Sequence, residues 1–541
     1  MPRLLIGPVL RHVGTTDATV WVETEEACEV EVLGCRERTW NVAGHHYALV
    51  LIEGLEPGTT RPYEVRLDGD VVWPPPEWTR PPSRIRTEGG RDEIRLAFGS
   101  CRYGRFAAKL RDRHFTPDSL RCYARELMER DEAHWPDGVL MLGDQVYADE
   151  TSDATQRKIR ARRSVTDGPG TEIADFEEYT WLYLESWTDP EVRWLMSTIP
   201  STMIFDDHDI HDDWNTSDSW RQEMQRTSWW ENRIAGGLAS YWVYQHLGNL
   251  SPDELRTNDL YQRVRSAGTD VAPMLREFAL HADAEADGAK GTRWSYRRDF
   301  GSVRLLMIDS RCGRILADGH RSMVSDDEFA WITDQAKGTY DHLLIGTSLP
   351  WLLARALHDL ESWDEVLCNG EHGPRRARFG EWLRRAADLE HWAAFRESFD
   401  ALADLIAAVG NAPEAPASIC VLSGDVHHAY FAEARFPLPV RSRVYQLTCS
   451  PLHNFVPPVM KAAFRIFWSR VMERSLRRLL GLIAPLPRLT LEWRKLDGPF
   501  FGNEVAEFVA RGRRAEAVLR RSVDSGDGGG LEQVAQRTLA H

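Results

Sequence analysis

The first 88 residues carry short runs in which apolar and polar side chains alternate and turn residues break the pattern: ATVWVET at 18–24, CEVEVLG at 28–34, YALVLIE at 47–53 and YEVRL at 63–67. A period of two marks strands with one buried face, so residues 1–88 are predicted to form a small antiparallel β-sandwich. The Pro-rich stretch from Pro74 to Pro82 and the polar TEGGRDE that follows predict an exposed linker, with a domain boundary near residue 90. Beyond it the pattern becomes one of short, nearly continuous apolar runs between long helical or irregular segments, as expected of strands buried on both faces.

Five of these runs end in polar clusters: IRLAF before Gly99-Ser100-Cys101, VLML before Gly143-Asp144, MIF before Asp206-Asp207-His208, VRLLMI before Asp309, and CVLSG before Asp425. Ligands of open α/β sheets gather outside the carboxyl ends of strands, so five such endings predict one shared site in an α/β domain spanning residues 92–525. The helical insertions at 150–198 and 218–290, rich in Trp, Glu and Arg, read as scaffold or lid. The SGDGGG near the C-terminus predicts a flexible tail over 526–541. Between Pro457 and Arg488, Lys461, Arg465, Arg470, Arg474, Arg477 and Arg478 alternate with Phe464, Phe467, Val471, Leu476 and Leu480, a basic amphipathic helix pattern. Docking against the parent domain is one expectation for this insertion, and peripheral membrane contact is the other.

Composition narrows the partners. A formal net charge of -16 argues against nucleic-acid binding, because affinity for phosphate backbones comes from surplus Lys and Arg, so an anionic substrate must meet a local positive site. Bound cations can provide one. The 21 Trp point to aromatic-rich packing or a lined cleft. The eight Cys show no CxxC pair, which fits a reducing compartment; with no signal peptide pattern and no apolar stretch long enough to span a bilayer, a cytoplasmic location is expected.

The chemistry sits at the strand ends. In MLGDQVYADE at 141–150, Gly143 lets the chain turn, Asp144 can set both carboxylate oxygens against two metals, and Tyr147 follows three residues on. This GDxxY pattern resembles that of purple acid phosphatases and of the PhoD-like (alkaline phosphatase D) family of the metallophosphatase superfamily. FGSCR at 98–102 resembles the PhoD-like segment in which a Cys replaces the superfamily's first Asp, implying Cys101 as a metal ligand. IFDDHDIHDDWN at 204–215 packs carboxylates at a density that calls for cations. Aligned with the superfamily's GNH[DE] motif, it places Asp207 as a ligand and His208 at the phosphate or leaving group. VLSGDVHHAYF at 421–431 resembles the closing GDVH motif, implying Asp425 and His427 as ligands, while i, i+2 spacing turns His428 away.

The order of these motifs covers about 330 residues and is that of the PhoD-like family. IDSR at 308–311 and LIGTSLPWL at 344–352 also look like that family, and Arg311 is a candidate phosphate clamp because a guanidinium fork matches phosphate oxygens. The His of the superfamily's fourth motif is missing at GTSLP, which leaves Asp309 or Asn215 to complete one ligand set.

The resemblance implies a four-layer metallophosphatase β-sandwich flanked by helices. GLEPGTTRPYEVRLDG resembles a fibronectin type III-like signature and supports an all-β domain ahead of it. It also implies hydrolysis of phosphomonoesters or phosphodiesters by a metal-bridging hydroxide, with Asp144 bridging, Cys101 and Tyr147 on Fe³⁺, and Asp207, Asp425 and His427 on a second ion. That ion is calcium by resemblance, with Mn or Zn as alternatives. Two such ions sit roughly 3.5 to 4 Å apart and lower the pKa of bound water to about 7. The alternatives are a phosphodiesterase acting on phospholipids or cell-wall polymers at a membrane surface, and a binding module that keeps the fold without the chemistry.

Overall fold

In the N-terminal region Leu4–Val13, Asp17–Thr24, His45–Glu53 and Trp40–Val42 pair in that order, and a second sheet orders Cys35–Arg38, Glu29–Val32, Val65–Leu67 and Asp70–Trp73. The computed structural model describes residues 2–104, 116–288, 290–317, 319–525 and 528–541. The alternation read from the sequence is satisfied by two partners. Val20, Val22 and Ile52 pack inside the small sandwich with Val30, Val65 and Leu67, while the opposite face, with Ile6, Trp21, Tyr47 and Leu49, joins the main core of the chain.

The two regions are therefore packed as one body, and the Pro-rich stretch is not a free linker. Trp78 lies 4.3 Å from Trp73 between ring centres, and Pro81 accepts a hydrogen bond from Trp194 Nε1 at 3.0 Å. Arg11 is fully buried across the junction, donating to the carbonyls of Tyr244 and Gln245 at 2.8 and 2.6 Å. A buried guanidinium is tolerated only where such acceptors satisfy it.

The second region is built on two sheets packed face to face. One orders Ser201–Ile204, Gly138–Leu142, Glu93–Gly99, Glu504–Arg511, Arg514–Val523 and Gly530–Ala540. The other orders Tyr296–Phe300, Val303–Met307, His342–Gly346, Ser418–Ser423, Arg443–Thr448, Ala429–Arg435 and Glu492–Phe500. Leu140, Leu305, Leu344 and Leu422 point between the sheets, whereas Leu306, Ile345 and Val421 face outward to Ile332, Phe399 and Leu402 of covering helices. Side chains of successive strand residues point to opposite faces, so runs apolar at every position must be covered on both. The result is the helix, sheet, sheet, helix layering of a metallophosphatase fold.

Strands Glu93–Gly99, Gly138–Leu142 and Ser201–Ile204 run parallel in the first sheet; Val303–Met307, His342–Gly346, Ser418–Ser423 and Arg443–Thr448 do so in the second. Their carboxyl ends carry the polar clusters. The flexible tail expected over 526–541 is corrected: Gly530–Ala540 is an edge strand paired antiparallel with Arg514–Val523. Its weak apolar pattern hid it, since backbone hydrogen bonds on one side suffice to hold an edge strand. The buried Trp21, Trp187, Trp194, Trp242 and Trp294 show that much of the tryptophan content serves packing.

Candidate active site

Where a buried strand ends, the chain must turn sharply to present side chains to a cleft. Cys101, Asp144, Asp425 and His427 all have left-handed backbone, with φ of 57°, 51°, 63° and 49°. Non-glycine residues rarely adopt it, and such strain collects at functional sites. The turns are braced by Asp209, whose Oδ2 accepts the backbone N–H of both Asp144 and Asp206 at 3.0 Å. Gly143 has φ 110°, and a Cβ there would lie 2.6 Å from Asp206 Cβ. Ser100 Oγ accepts the N–H of Asp425 at 3.2 Å, joining the first strand end to the last.

Among the described residues three groups of candidate ligating atoms result, each within 4.8 Å: Asp144, Asp207 and His208; Asp206, Asp207 and Asp425; and Asp149, His208 and Asp212. Asp207 is common to the first two. Asp144, Asp206 and Asp207 are deeply buried and Asp425 partly so, and among the described residues Asp144 Oδ1 and Asp206 Oδ2 have no hydrogen-bond partner. Burial, together with the neighbouring carboxylates, pushes Asp144 and Asp206 well above the usual carboxylate range. Orphaned, mutually repelling oxygens fit divalent or trivalent cations, which would neutralise them. Asp206, which the motif alignment did not single out, thus stands among the candidate ligands.

Cys101 and Tyr147 lie beside these groups and outside them. The Cys101 sulfur is within 3.1 and 3.2 Å of the Ser100 and Ser450 hydroxyls, and burial, then Asp144 and Asp425, raise its thiol well above the ordinary value. Asn454 Nδ2 donates to Tyr147 Oη at 3.0 Å and lies 3.4 Å from His427 Nε2, so this Asn links two predicted ligands. Burial lowers His427 to about 4, which keeps the imidazole neutral and fit to ligate. His428 turns away, accepting from Trp468 Nε1 at 3.2 Å.

His208 lines the cleft with its Nδ1 2.9 Å from Asp149 Oδ2. Burial opposes its protonation, but Asp149 and Asp207 outweigh this and hold its pKa well above the usual value. Arg311, predicted as a phosphate clamp, is corrected by its burial: it is 0% exposed and does not line the cleft. Its Nε meets Asp206 Oδ1 and its Nη1 meets Glu390 Oε2, both at 2.5 Å, with Nη2 3.3 Å from Asp207 Oδ1. It braces the carboxylates from beneath. Asp309 does not complete a ligand set either, because it accepts the backbone N–H groups of Arg311, Cys312 and Gly313 at 2.8 to 2.9 Å. Asn215 donates to the Arg311 carbonyl at 3.2 Å.

Sequence reasoning missed Asp149, Glu390, His391 and Asn454. His391 Nε2 is 3.0 Å from Asp425 Oδ2 and its Nδ1 is 2.8 Å from Glu361 Oε1. Burial would raise Asp425, but His391 and then Arg311 hold it down at about 2. Asn454 had a signal, since strand Arg443–Thr448 also ends in a polar cluster, CSPLHN; Glu390 and His391 lie between helices and had none. The cleft has a volume of about 320 Å³. Asp207, His208, Asp425 and His427 form its polar side, and Met460, Ala463, Phe464 and Phe467 of helix Pro458–Phe467 form an apolar wall.

Fold and site define a hydrolase of phosphoric esters built on the metallophosphatase fold. The chain belongs to the PhoD-like phosphatase family, whose family model matches residues 117–456. Residues 1–85 match a domain of unknown function, DUF7800. The structure of PhoD is similar over 98% of this chain and 90% of that one, with a TM-score of 0.59 and 11% identity. A purple acid phosphatase from yellow lupin (Lupinus luteus) seeds is similar over 98% of this chain and 74% of that one, with a TM-score of 0.50 and 12% identity. No curated protein matches the chain in sequence.

Proposed function

We propose that the cleft hydrolyses phosphomonoesters or phosphodiesters with water activated between two metal ions. When bound, such ions lower the pKa of water and take up charge on the phosphoryl oxygens. Asp144 would bridge the ions, Cys101 and Tyr147 would serve one of them, and Asp207, Asp425 and His427, with Asp206 beside them, would hold the other. Asp207 falls in two of the groups of candidate ligating atoms, which supports a carboxylate-rich pair of sites. Thiolate and phenolate suit Fe³⁺, and a carboxylate-rich set suits Ca²⁺, with Mn²⁺ or Zn²⁺ able to replace it. His208, paired with Asp149 at the cleft surface, would be the proton donor to the leaving oxygen. Arg311 and His391 hold the carboxylates in place.

The observation that carries this reading is the set of orphaned, clustered carboxylate oxygens at converging strand ends. The test is metal analysis of protein purified without added metal, beside release of p-nitrophenol from mono- and bis-substituted phosphates. Asp144→Ala is expected to lower both metal content and turnover, the latter by at least about a thousandfold. Full turnover in that variant would refute the assignment.

A phosphodiester bearing an apolar group, such as a lipid, is the second reading, favoured by the wall of Met460, Ala463, Phe464 and Phe467. Preference for the bis-substituted ester would support it. All eight cysteines are free, which supports a reducing compartment such as the cytoplasm.

A further inference from the structure

The two helices that follow strand Arg443–Thr448 dock through few contacts, the first with no fully buried side chain and the second with Leu480 alone. Phe464 packs 4.4 Å from His428, ring centre to ring centre. Helix Arg470–Gly481 buries Leu480 with Trp363 and Leu367, and its Arg477 pairs with Asp359 at 2.9 Å. A helix docked on its parent domain should then present polar side chains to water. This hairpin does not: Val459, Ile466, Val471, Leu479, Leu482 and Ile483 are exposed, Val471 by 76% and Leu482 by 84%.

The neighbouring helix Pro374–Ala386 extends the face with exposed Phe379 and Trp382, and its Arg376 donates to the Ile483 carbonyl at 3.1 Å. Together with Met460, these make nine of the twelve exposed large apolar side chains among the described residues. So strong a concentration marks an interaction surface.

The charge around it is equally uneven. Residues 458–481 hold six basic side chains against Glu473 alone, in a chain of net charge -16. Arg470, Arg474 and Arg478 lie along one edge of the exposed apolar stripe, and among the described residues none of them forms an ion pair. We propose that this face docks on an anionic lipid surface, with the apolar stripe in the interfacial layer and the arginines at the headgroups. Basic amphipathic helices bind anionic bilayers this way, and Trp suits the interface. A second copy of the chain fits poorly, because a twofold contact would set these arginines against one another. Helix Pro458–Phe467 also forms the cleft wall, so docking brings the cleft to the lipid.

Docking on lipid is a binding event, measured without turnover. The full chain is floated with vesicles of phosphatidylcholine mixed with phosphatidylglycerol, and with vesicles of pure phosphatidylcholine. Binding to the anionic vesicles alone is expected, weakened by salt. The variants Val471→Glu/Leu482→Glu and Arg470→Glu/Arg474→Glu/Arg478→Glu, checked for unchanged thermal unfolding, should each bind at least about tenfold more weakly. Failure of the wild type to bind anionic vesicles at low salt, or unchanged binding by both folded variants, would overturn the proposal. So would a concentration-dependent dimer of the wild type that Val471→Glu/Leu482→Glu abolishes.

Discussion

Replacing Arg311 by Met separates two roles that the sequence alone left open. The guanidinium is fully buried and touches Asp206, Asp207 and Glu390 at 2.5 to 3.3 Å, with Asp425 at 3.8 Å. Removing one partner of a buried charge network costs about 3 to 5 kcal/mol, because the remaining charges stay desolvated and unpaired. Carboxylates released this way repel one another, so Arg311→Met should unfold at lower denaturant and retain less metal. Added metal ions should recover part of the loss, since they neutralise the same oxygens. The assay is urea unfolding with and without added metal, beside metal content and steady-state kinetics. A substrate clamp would behave otherwise, raising KM at least about tenfold with stability and metal content intact. That result would refute the bracing role.

Tyr147→Phe should abolish any visible phenolate-to-iron absorption while leaving the fold intact, whereas a colourless wild type with stoichiometric zinc would exclude iron beside Tyr147. Gly424→Ala should destabilise the chain by about 2 kcal/mol or more, as its Cβ would fall 1.9 Å from Ser100 Oγ at a buried strand end. His45 joins the N-terminal sheet to helix Phe176–Trp187, with Nε2 2.8 Å from Glu177 Oε2 and Nδ1 3.1 Å from Glu23 Oε1. Burial opposes its charge, but Glu177 and Glu23 raise its pKa to about 9. This contribution is fully present below pH about 6.5 and lost as pH rises through about 9; allowing for solvent screening it amounts to about 1 to 2 kcal/mol. Unfolding measured across that window should show the loss in the wild type and not in His45→Gln.

The strand-end motifs were legible because their causes are local. A strand buried on both faces must read as an apolar run, and the sharp turn after it demands residues such as Gly143 beside the polar side chains of the cleft. Cys101, Asp144, Asp207 and Asp425 could therefore be placed at strand ends, and the layered fold followed from the family resemblance that their order carries. The hairpin was legible only as an amphipathic pattern, and nothing in that pattern said that Phe464 and Phe467 would wall the cleft.

Tertiary structure decided what depends on distant partners. Arg311 could face phosphate or carboxylates, and only the convergence of residues 206, 207 and 390 around it makes it a buried brace. His391 reaches Asp425 from between helices, and Asn454 reaches Tyr147 across 307 residues of chain. The edge strand Gly530–Ala540 and the N-terminal sheet packed into the main core belong to the same class. A side chain's identity fixes the bonds it can form, but its partner is set by which turns the packed sheets bring together.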